Sequence, residues 1–403
     1  MNSISRLAQL FLKRPPSPLH QIPIAGFHVL NKGQLIEEET LPHYSPAQFF
    51  PINIGEVLNA RYQVIGKLGY GGNSTAWLSR DLKEHKYVTV KVCRLECEQV
   101  RREIDAYKHL DTLTTSHVGA LLIRDMADSF DISNAHRKYP CIVHKPLSIS
   151  LAQLRSKCPN RRLPVNVLKP ALVHIFLALD FLHSEVNMVH TDLQERNIIL
   201  GIEDDSILEE FARSELRHPS PRKVDGDRII YKSRDLVITK NPGRPVITDF
   251  GEARIGQQTY DDDIQPFQYR APEVIMDMPW SYKVDIWNVG VMIWDLFEDK
   301  NMFNTRGPDD GAPDSLYHMA HITALLGPAP LDFLERSRSE RRQEYYDPKG
   351  EWKGLAEIPQ TSLEESEENL DGEDKKQFLE FIKKMLKWKP EERSSAEELL
   401  QDT

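Results

Sequence analysis

Four cysteines in 403 residues are too few, and too irregularly placed, for a disulfide framework or a paired CxxC metal site. Cys93, Cys97, Cys141 and Cys158 read instead as reduced thiols of an intracellular protein. No run of about eighteen apolar residues occurs, so no membrane span is expected. Acids are missing from Met1 to Ile36, where Arg6, Lys13, Arg14 and Lys32 are all cationic. Ile4, Leu7 and Phe11 could share one helical face there, a composition compatible with a mitochondrial presequence. Pro15, Pro16 and Pro18 interrupt the stretch, and a flexible basic tail over residues 1–43 is the preferred reading.

What is present bounds the rest. A chain of this length can bury two substantial cores. A formal net charge of −10 argues against general nucleic-acid binding and suits a basic peptide partner. Three acids, Glu37 to Glu39, come before a lead-in over residues 44–61. Alternating apolar residues then appear at Tyr62 to Ile65, Ala76 to Leu78, Val88 to Val90 and Cys141 to Val143, the period of strands in one antiparallel sheet. One helix is expected around Ile104, Tyr107 and Leu110. Beyond about Ser148 the pattern turns helical: Val167 to His183, a nearly all-apolar Asp285 to Phe297, Gln377 to Trp388, and a short last helix at Ser395 to Leu400. The reading is an α+β chain with a small β-rich lobe over 62–147 and a larger helical lobe over 148–403. The larger lobe is expected to carry an expansion at about 201–245, acidic and helical at first, with His218 to Lys223 as an exposed loop.

The chemistry sits at a few spacings. Leu68-Gly69-Tyr70-Gly71-Gly72-Asn73-Ser74-Thr75-Ala76 lies between two predicted strands, where missing side chains let backbone amides approach phosphate oxygens. A plain β-turn explains such a hairpin equally well until Lys91 is added. That lysine ends the apolar strand Val88-Thr89-Val90, where an unpaired charge costs several kcal/mol. It suits the α- and β-phosphates of a nucleotide, with a helix carboxylate as partner. Glu103 is the chosen partner, with Glu96 and Glu98 as rivals. In His190-Thr191-Asp192-Leu193-Gln194-Glu195-Arg196-Asn197, an acid and an amide stand five residues apart, and Asp249-Phe250-Gly251 follows a third predicted strand. Asp192 is placed to accept a hydroxyl proton, while Asn197 and Asp249 supply hard oxygens for Mg²⁺.

In this order these residues resemble the eukaryotic protein kinase signature. The match continues through Ala271-Pro272-Glu273, Asp285-Ile286-Trp287-Asn288-Val289-Gly290 and Arg393. The resemblance implies a bilobal kinase fold using ATP and Mg²⁺. It also implies a Glu273–Arg393 structural ion pair, Asp285 bracing the catalytic loop, and Leu147 near the nucleotide at the hinge. Finer pieces resemble the SR-protein kinases, which phosphorylate serines of Arg/Ser-rich proteins: Tyr44-Ser45-Pro46, Gly55 to Asn59, Ser74 to Leu78, His190-Thr191-Asp192, Asp263-Ile264-Gln265-Pro266 and Gln268-Tyr269-Arg270. That family divides its catalytic domain with a spacer where the expansion falls here. The shortness of this one resembles the compact fungal members.

Three places depart from the pattern. Gln194 stands where most serine/threonine kinases carry a lysine that contacts the γ-phosphate, and losing such a donor can cost about 10²–10³ in rate. Arg196 stands where tyrosine kinases often place a compensating arginine. His144-Lys145 replaces an apolar–acid pair before the hinge. Thr191 replaces an arginine that receives phosphate from the activation loop. The loop from Asp249 to Glu273 contains no serine and offers Thr259 and Tyr260, beside three aspartates. The expectation is therefore a constitutively competent serine kinase acting on basic, Arg/Ser-rich proteins. It is expected to be a monomer of cytoplasm and nucleus, with a mitochondrial location as the alternative. A pseudokinase scaffold is the competing class, favoured by Gln194 and His144; tyrosine specificity has only Arg196 behind it.

Overall fold

The computed structural model describes residues 14–402 apart from 24, 135–136, 239–241, 257–258 and 309–310. It comprises two compact units: residues 14–101, 125–148 and 202–242 form the smaller, and 102–124, 149–201 and 243–402 the larger.

The smaller unit is built on a six-stranded antiparallel sheet in the order β1-β2-β3-β4-β6-β5. Its strands are β1 (Val57–Leu58), β2 (Tyr62–Gly71), β3 (Ser74–Asp81), β4 (Lys86–Cys93), β5 (Asp128–Asn134) and β6 (Arg137–His144). Side chains alternate across a strand, so Val64 and Trp77 pack on one face while Ile65 and Leu78 pack on the other. Both faces are apolar, and both need a cover. Ile52, Leu58 and Tyr231 close the first; Ile207, Leu208, Phe211 and Ala212 of the helix Ser206–Arg217 close the second. Gly66 of β2 permits that packing, because a Cβ there would lie 2.8 Å from the Phe211 ring.

Residues 202–242 thus belong to the smaller unit, not to the large helical lobe where the sequence reading placed them. The expansion leaves and rejoins the larger unit at one point. Strand Ile198–Leu200 pairs with Pro245–Ile247, and Gly201 and Gly243 pass so closely that a Cβ on Gly243 would sit 2.7 Å from Gly201. An excursion whose ends meet leaves its parent hairpin intact.

The expected exposed loop at His218 to Lys223 is also corrected. Ser220, Arg222 and Lys223 are buried. Glu215 accepts from Ser220 N and Oγ at 2.8 and 2.7 Å. The Arg222 guanidinium lies 3.9 Å from the Phe27 ring centroid and 4.7 Å from that of Tyr231. Lys223 donates to both oxygens of Glu39 and to Gln34 O. Charge and proline content suggested solvent, but each cation has a partner.

The same contacts overturn the flexible tail for residues from 14 onward, while residues 1–13 lie outside the described part. Ser17 N donates to Leu82 O at 2.7 Å, and Gln63 holds His20 through both its backbone groups. The acidic triplet forms a short 3₁₀ turn, Glu37–Thr40, with Glu38 buried against Lys67 of β2. Glu37 accepts from Ser233 N at 3.1 Å, so the strap fastens both the sheet and the expansion.

The larger unit is helical. Helix Lys283–Glu298 is buried at nearly every position, as its apolar run dictates. Val165–Phe181, extended by a wide turn to Val186, is long and apolar enough by composition to cross a membrane. Eight of its residues, among them Leu172, Ile175 and Leu179, are nevertheless buried in this unit's core. Most of the helix Glu98–Asp111, residues 102–111, belongs here rather than with the sheet.

Candidate active site

The smaller unit carries the glycine hairpin and Lys91. Strands β2 and β3 pair Gly69 with Ala76, Tyr70 with Thr75 and Gly71 with Ser74, leaving Gly72 and Asn73 at the tip. Arg94 N donates to Asn73 O at 2.8 Å and pins the tip from below. A Cβ at Gly69, Gly71 or Gly72 would meet no atom within 4 Å. The protein's own packing therefore does not require glycine there, and the bare backbone leaves room for a ligand to approach. Lys91 lies in β4 opposite Ala76 of β3 and Ile142 of β6, one register step from the loop. Leu68, Asn73, Ser74 and Ala76 are half-buried around it, Thr75 accepts from Trp77 Nε1 at 2.9 Å, and Leu147 is half-buried after β6. His144 is fully buried, with Nδ1 2.7 Å from Asp125 O, so it ties the end of the interior strand β6 to the segment before β5.

The larger unit carries Glu103, Asp192, Asn197 and Asp249. Of the three rival glutamates, Glu103 is 3 % exposed whereas Glu96 and Glu98 are exposed. A buried carboxylate is the one whose charge demands a specific partner.

The catalytic loop is shaped from beneath by Asp285, whose fully buried carboxylate accepts from Thr191 N and His190 N, both at 2.8 Å. His183 Nε2 lies 2.9 Å from the same carboxylate. Thr191 takes a left-handed backbone, φ 67°, which non-glycine residues adopt only when held there. Its hydroxyl donates to Glu252 O at 2.6 Å. Asp249 has φ 69° and follows Thr248, whose N and Oγ1 both donate to Asn197 O. Phe250 is fully buried between His190 and Tyr107, with ring centroids at 5.2 and 5.5 Å.

Asp192 is held by two amides. Gln194 Nε2 donates to Oδ1 at 2.8 Å, and Asn197 Nδ2 donates to Oδ2 at 2.8 Å and to the Asp192 carbonyl at 2.9 Å. Burial pushes the Asp192 carboxyl up to about 6; His190 opposes, the Asp249 charge adds to the rise, and the two amides hold it down. Asn197 spends its amide hydrogens on Asp192, so Oδ1 is the atom it has left for a cation. Asn197 Oδ1 and the Asp249 carboxylate, beside a second carboxylate whose like charge they feel, form a hard-oxygen donor set that suits a small divalent ion. No cluster of three or more His, Cys, Asp or Glu with metal-ligand spacing exists among the described residues, so such an ion needs further oxygens from its ligand.

Three features of the site had no signal in the sequence. Arg155 forks onto Glu195, with Nε and Nη2 at 2.7 and 2.8 Å, and also pairs with Asp299. Arg102 pairs with Glu252 at 2.9 Å. His183 shares Asp285. Arg196 is exposed at the surface of the loop. Glu273 and Arg393 form a two-pronged ion pair at 2.6 Å for each bond, 1 % and 0 % exposed.

A family model described as protein kinase domain matches residues 229–403. A serine/threonine protein kinase of Aspergillus fumigatus is 45 % identical over 405 residues, covering 100 % of this chain and 98 % of that one. The serine/threonine-protein kinase SRPK of Physarum polycephalum is 26 % identical, covering 91 % and 90 %. The dual specificity protein kinase CLK1 of Homo sapiens is 28 % identical, covering 86 % and 66 %. A solved kinase domain superposes with a TM-score of 0.68 at 21 % identity, covering 88 % of this chain and 98 % of its own, which shows the fold. The chain belongs to the protein kinase family and is a protein serine/threonine kinase with SR-protein kinase-like relatives.

Proposed function

We propose that this kinase transfers the ATP γ-phosphate to serines of basic, Arg/Ser-rich proteins, working as a monomer with Mg²⁺ as its metal. The observation that carries the transfer chemistry is Asp192: a carboxylate fixed by two amide donors and making no ion pair among the described residues. A carboxyl near 6 is mostly ionised at neutral pH, so it can take the proton of a serine hydroxyl as the oxygen attacks. Asn197 holds that carboxylate by one side of its amide and offers Oδ1 to the metal by the other. Asp249 supplies the second hard oxygen. Mg²⁺, when bound with the nucleotide, neutralises phosphate charge. The bare backbone at Gly69, Gly71 and Gly72, with Lys91, suits the phosphates themselves.

The substrate class draws support from the SRPK relative and from a net charge of −10. Asp261 and Asp263 add exposed acid in the activation segment, the Asp263 side chain being 73 % accessible. The same charge balance disfavours nucleic acid as a partner. Cytoplasm and nucleus are the compartments proposed.

Constitutive competence is part of this reading. Described residues of the activation segment bond to one another and to Trp280. Tyr260 and Trp280 exchange backbone hydrogen bonds at 2.9 and 2.8 Å, and their rings stack at 4.8 Å. Arg254 Nε donates to Asp262 at 3.0 Å, and Gln265 accepts from Ala271 N at 2.9 Å. Thr191 fills the place of the phosphate-receiving arginine with a hydroxyl bonded to Glu252.

The test is labelled ATP with an Arg/Ser peptide, a tyrosine-only peptide and an acidic serine peptide. Incorporation is expected in the first alone. Preference for the acidic peptide would reverse the substrate assignment.

A further inference from the structure

On the smaller unit, a groove of about 380 Å³ is lined by the lead-in, by Asn134 and Arg137 of the β5–β6 hairpin, and by Arg228 of the expansion's hairpin, Arg222–Asp225 with Arg228–Tyr231. Two guanidiniums line it, Arg137 from β6 and Arg228 from the strand Arg228–Tyr231. No carboxylate lines it, and among the described residues neither arginine is in an ion pair, in a chain whose acids outnumber its cations by 61 to 51. Asp225 and Asp227, close to Arg228 in sequence, are exposed and do not pair with it.

The groove is held rigid. Arg228 donates to Tyr44 Oη at 3.1 Å and to the carbonyls of Pro46 and Phe49, leaving Nε and one further N–H of its guanidinium unspent. Tyr139 Oη donates to Ala47 O at 2.9 Å. Arg137 reaches the same carbonyl through Nη1 at 3.3 Å and keeps four donors for another acceptor. Pro46 and Pro51 add apolar wall, and Asn134 adds a neutral amide. The spare fork of Arg137 and two single N–H donors of Arg228, with no carboxylate among the described lining residues, form a receptor for a phosphate monoester. Phe49 and Tyr139 are 4 % and 3 % exposed, so no aromatic face is offered to a nucleobase. The concave proline-lined wall favours a chain over a flat membrane surface.

The geometry points to this groove as a docking site for a phosphoserine-bearing peptide segment, the kind of product a serine kinase itself generates. The inference uses the kinase activity but not the Arg/Ser assignment, so it stands or falls separately from the choice of substrate.

The test is fluorescence anisotropy on the full chain without ATP. The probes are a labelled proline-flanked phosphoserine peptide, its unphosphorylated twin, and inorganic phosphate as competitor. Arg137 is exposed and lies outside the catalytic machinery, so Arg137→Ala should keep the melting temperature and the turnover of a short peptide substrate. The phosphopeptide is expected to bind at least about tenfold tighter than its twin, the scale of charge-assisted hydrogen bonds. Arg137→Ala should remove that preference, and Arg137→Lys should restore part of it, because a point charge replaces a fork. Equal binding of the two peptides, an unchanged preference in Arg137→Ala, or binding of free phosphate but not of the phosphopeptide would each overturn the proposal.

Discussion

Gln194 donates its side-chain amide to the carboxylate of Asp192 at 2.8 Å. At the position where a lysine would face the γ-phosphate, this chain places a neutral donor on the proposed base. The amide steadies the ionised carboxylate, which burial and the Asp249 charge push the other way, to about 6.

Gln194→Leu removes a hydrogen bond made to the charged form, so the Asp192 carboxyl should rise further. The base works only when ionised. The acid limb of the kcat profile, expected near pH 6 in the wild type, should therefore move to higher pH in the variant. At neutral pH kcat should fall roughly tenfold, the scale of a hydrogen bond to a charged group. A pH–rate series on both proteins checks it; an unmoved acid limb would detach Gln194 from the base.

Asp192→Asn preserves shape and removes the proton acceptor. Turnover should drop by about 10²–10⁴ while nucleotide affinity stays near wild type. Single-turnover kinetics and a nucleotide titration read the two separately, and comparable incorporation by both proteins would assign the base elsewhere.

Glu273 and Arg393 lie 1 % and 0 % exposed and bond only at close range. Breaking such a pair leaves one charge buried alone, at a cost of about 3–5 kcal/mol. Glu273→Gln should lower the denaturant midpoint accordingly without altering the slope.

The strap carrying Glu38 answers the fully buried Lys67 of β2. Glu37 also stands 3.4 Å from that ammonium, so Glu38→Ala alone should destabilise by less than the about 3–5 kcal/mol of a charge left unpaired, and Glu37→Ala with Glu38→Ala by about that amount. Thermal melts of the single and double variants decide this. A double variant that melts with wild type would show that Lys67 does not depend on this strap.

Tyr260 packs on Trp280 at a ring distance of 4.8 Å, and its buried hydroxyl has no hydrogen-bond partner among the described residues. Tyr260→Phe should keep activity within about twofold, since nothing bonded is lost. A tenfold gain on phosphorylation at Thr259 or Tyr260 would contradict an activation segment ordered by its own side chains.

Local spacing in the sequence was enough to identify the glycine hairpin, Lys91, the Asp192–Asn197 loop and Asp249, because each is a short motif on a predictable strand or turn. The strands of the sheet and the buried helix Lys283–Glu298 were legible for the same reason: periods of two and near-continuous apolarity survive in the chain. The choice among Glu96, Glu98 and Glu103 was not legible. Burial alone separates them, and burial is a property of packing.

The sequence by itself determined which residues are expected to carry the chemistry and in what order, since motif spacing is local. Tertiary structure alone decided that residues 202–242 and the strap around Glu38 complete the smaller unit. Read locally, charges and prolines at 37–39 and 218–223 point to solvent. Lys67, Glu39 and Glu215, distant in sequence or hidden by folding, turn those same charges inward, and no periodicity along the chain records who a buried charge will meet.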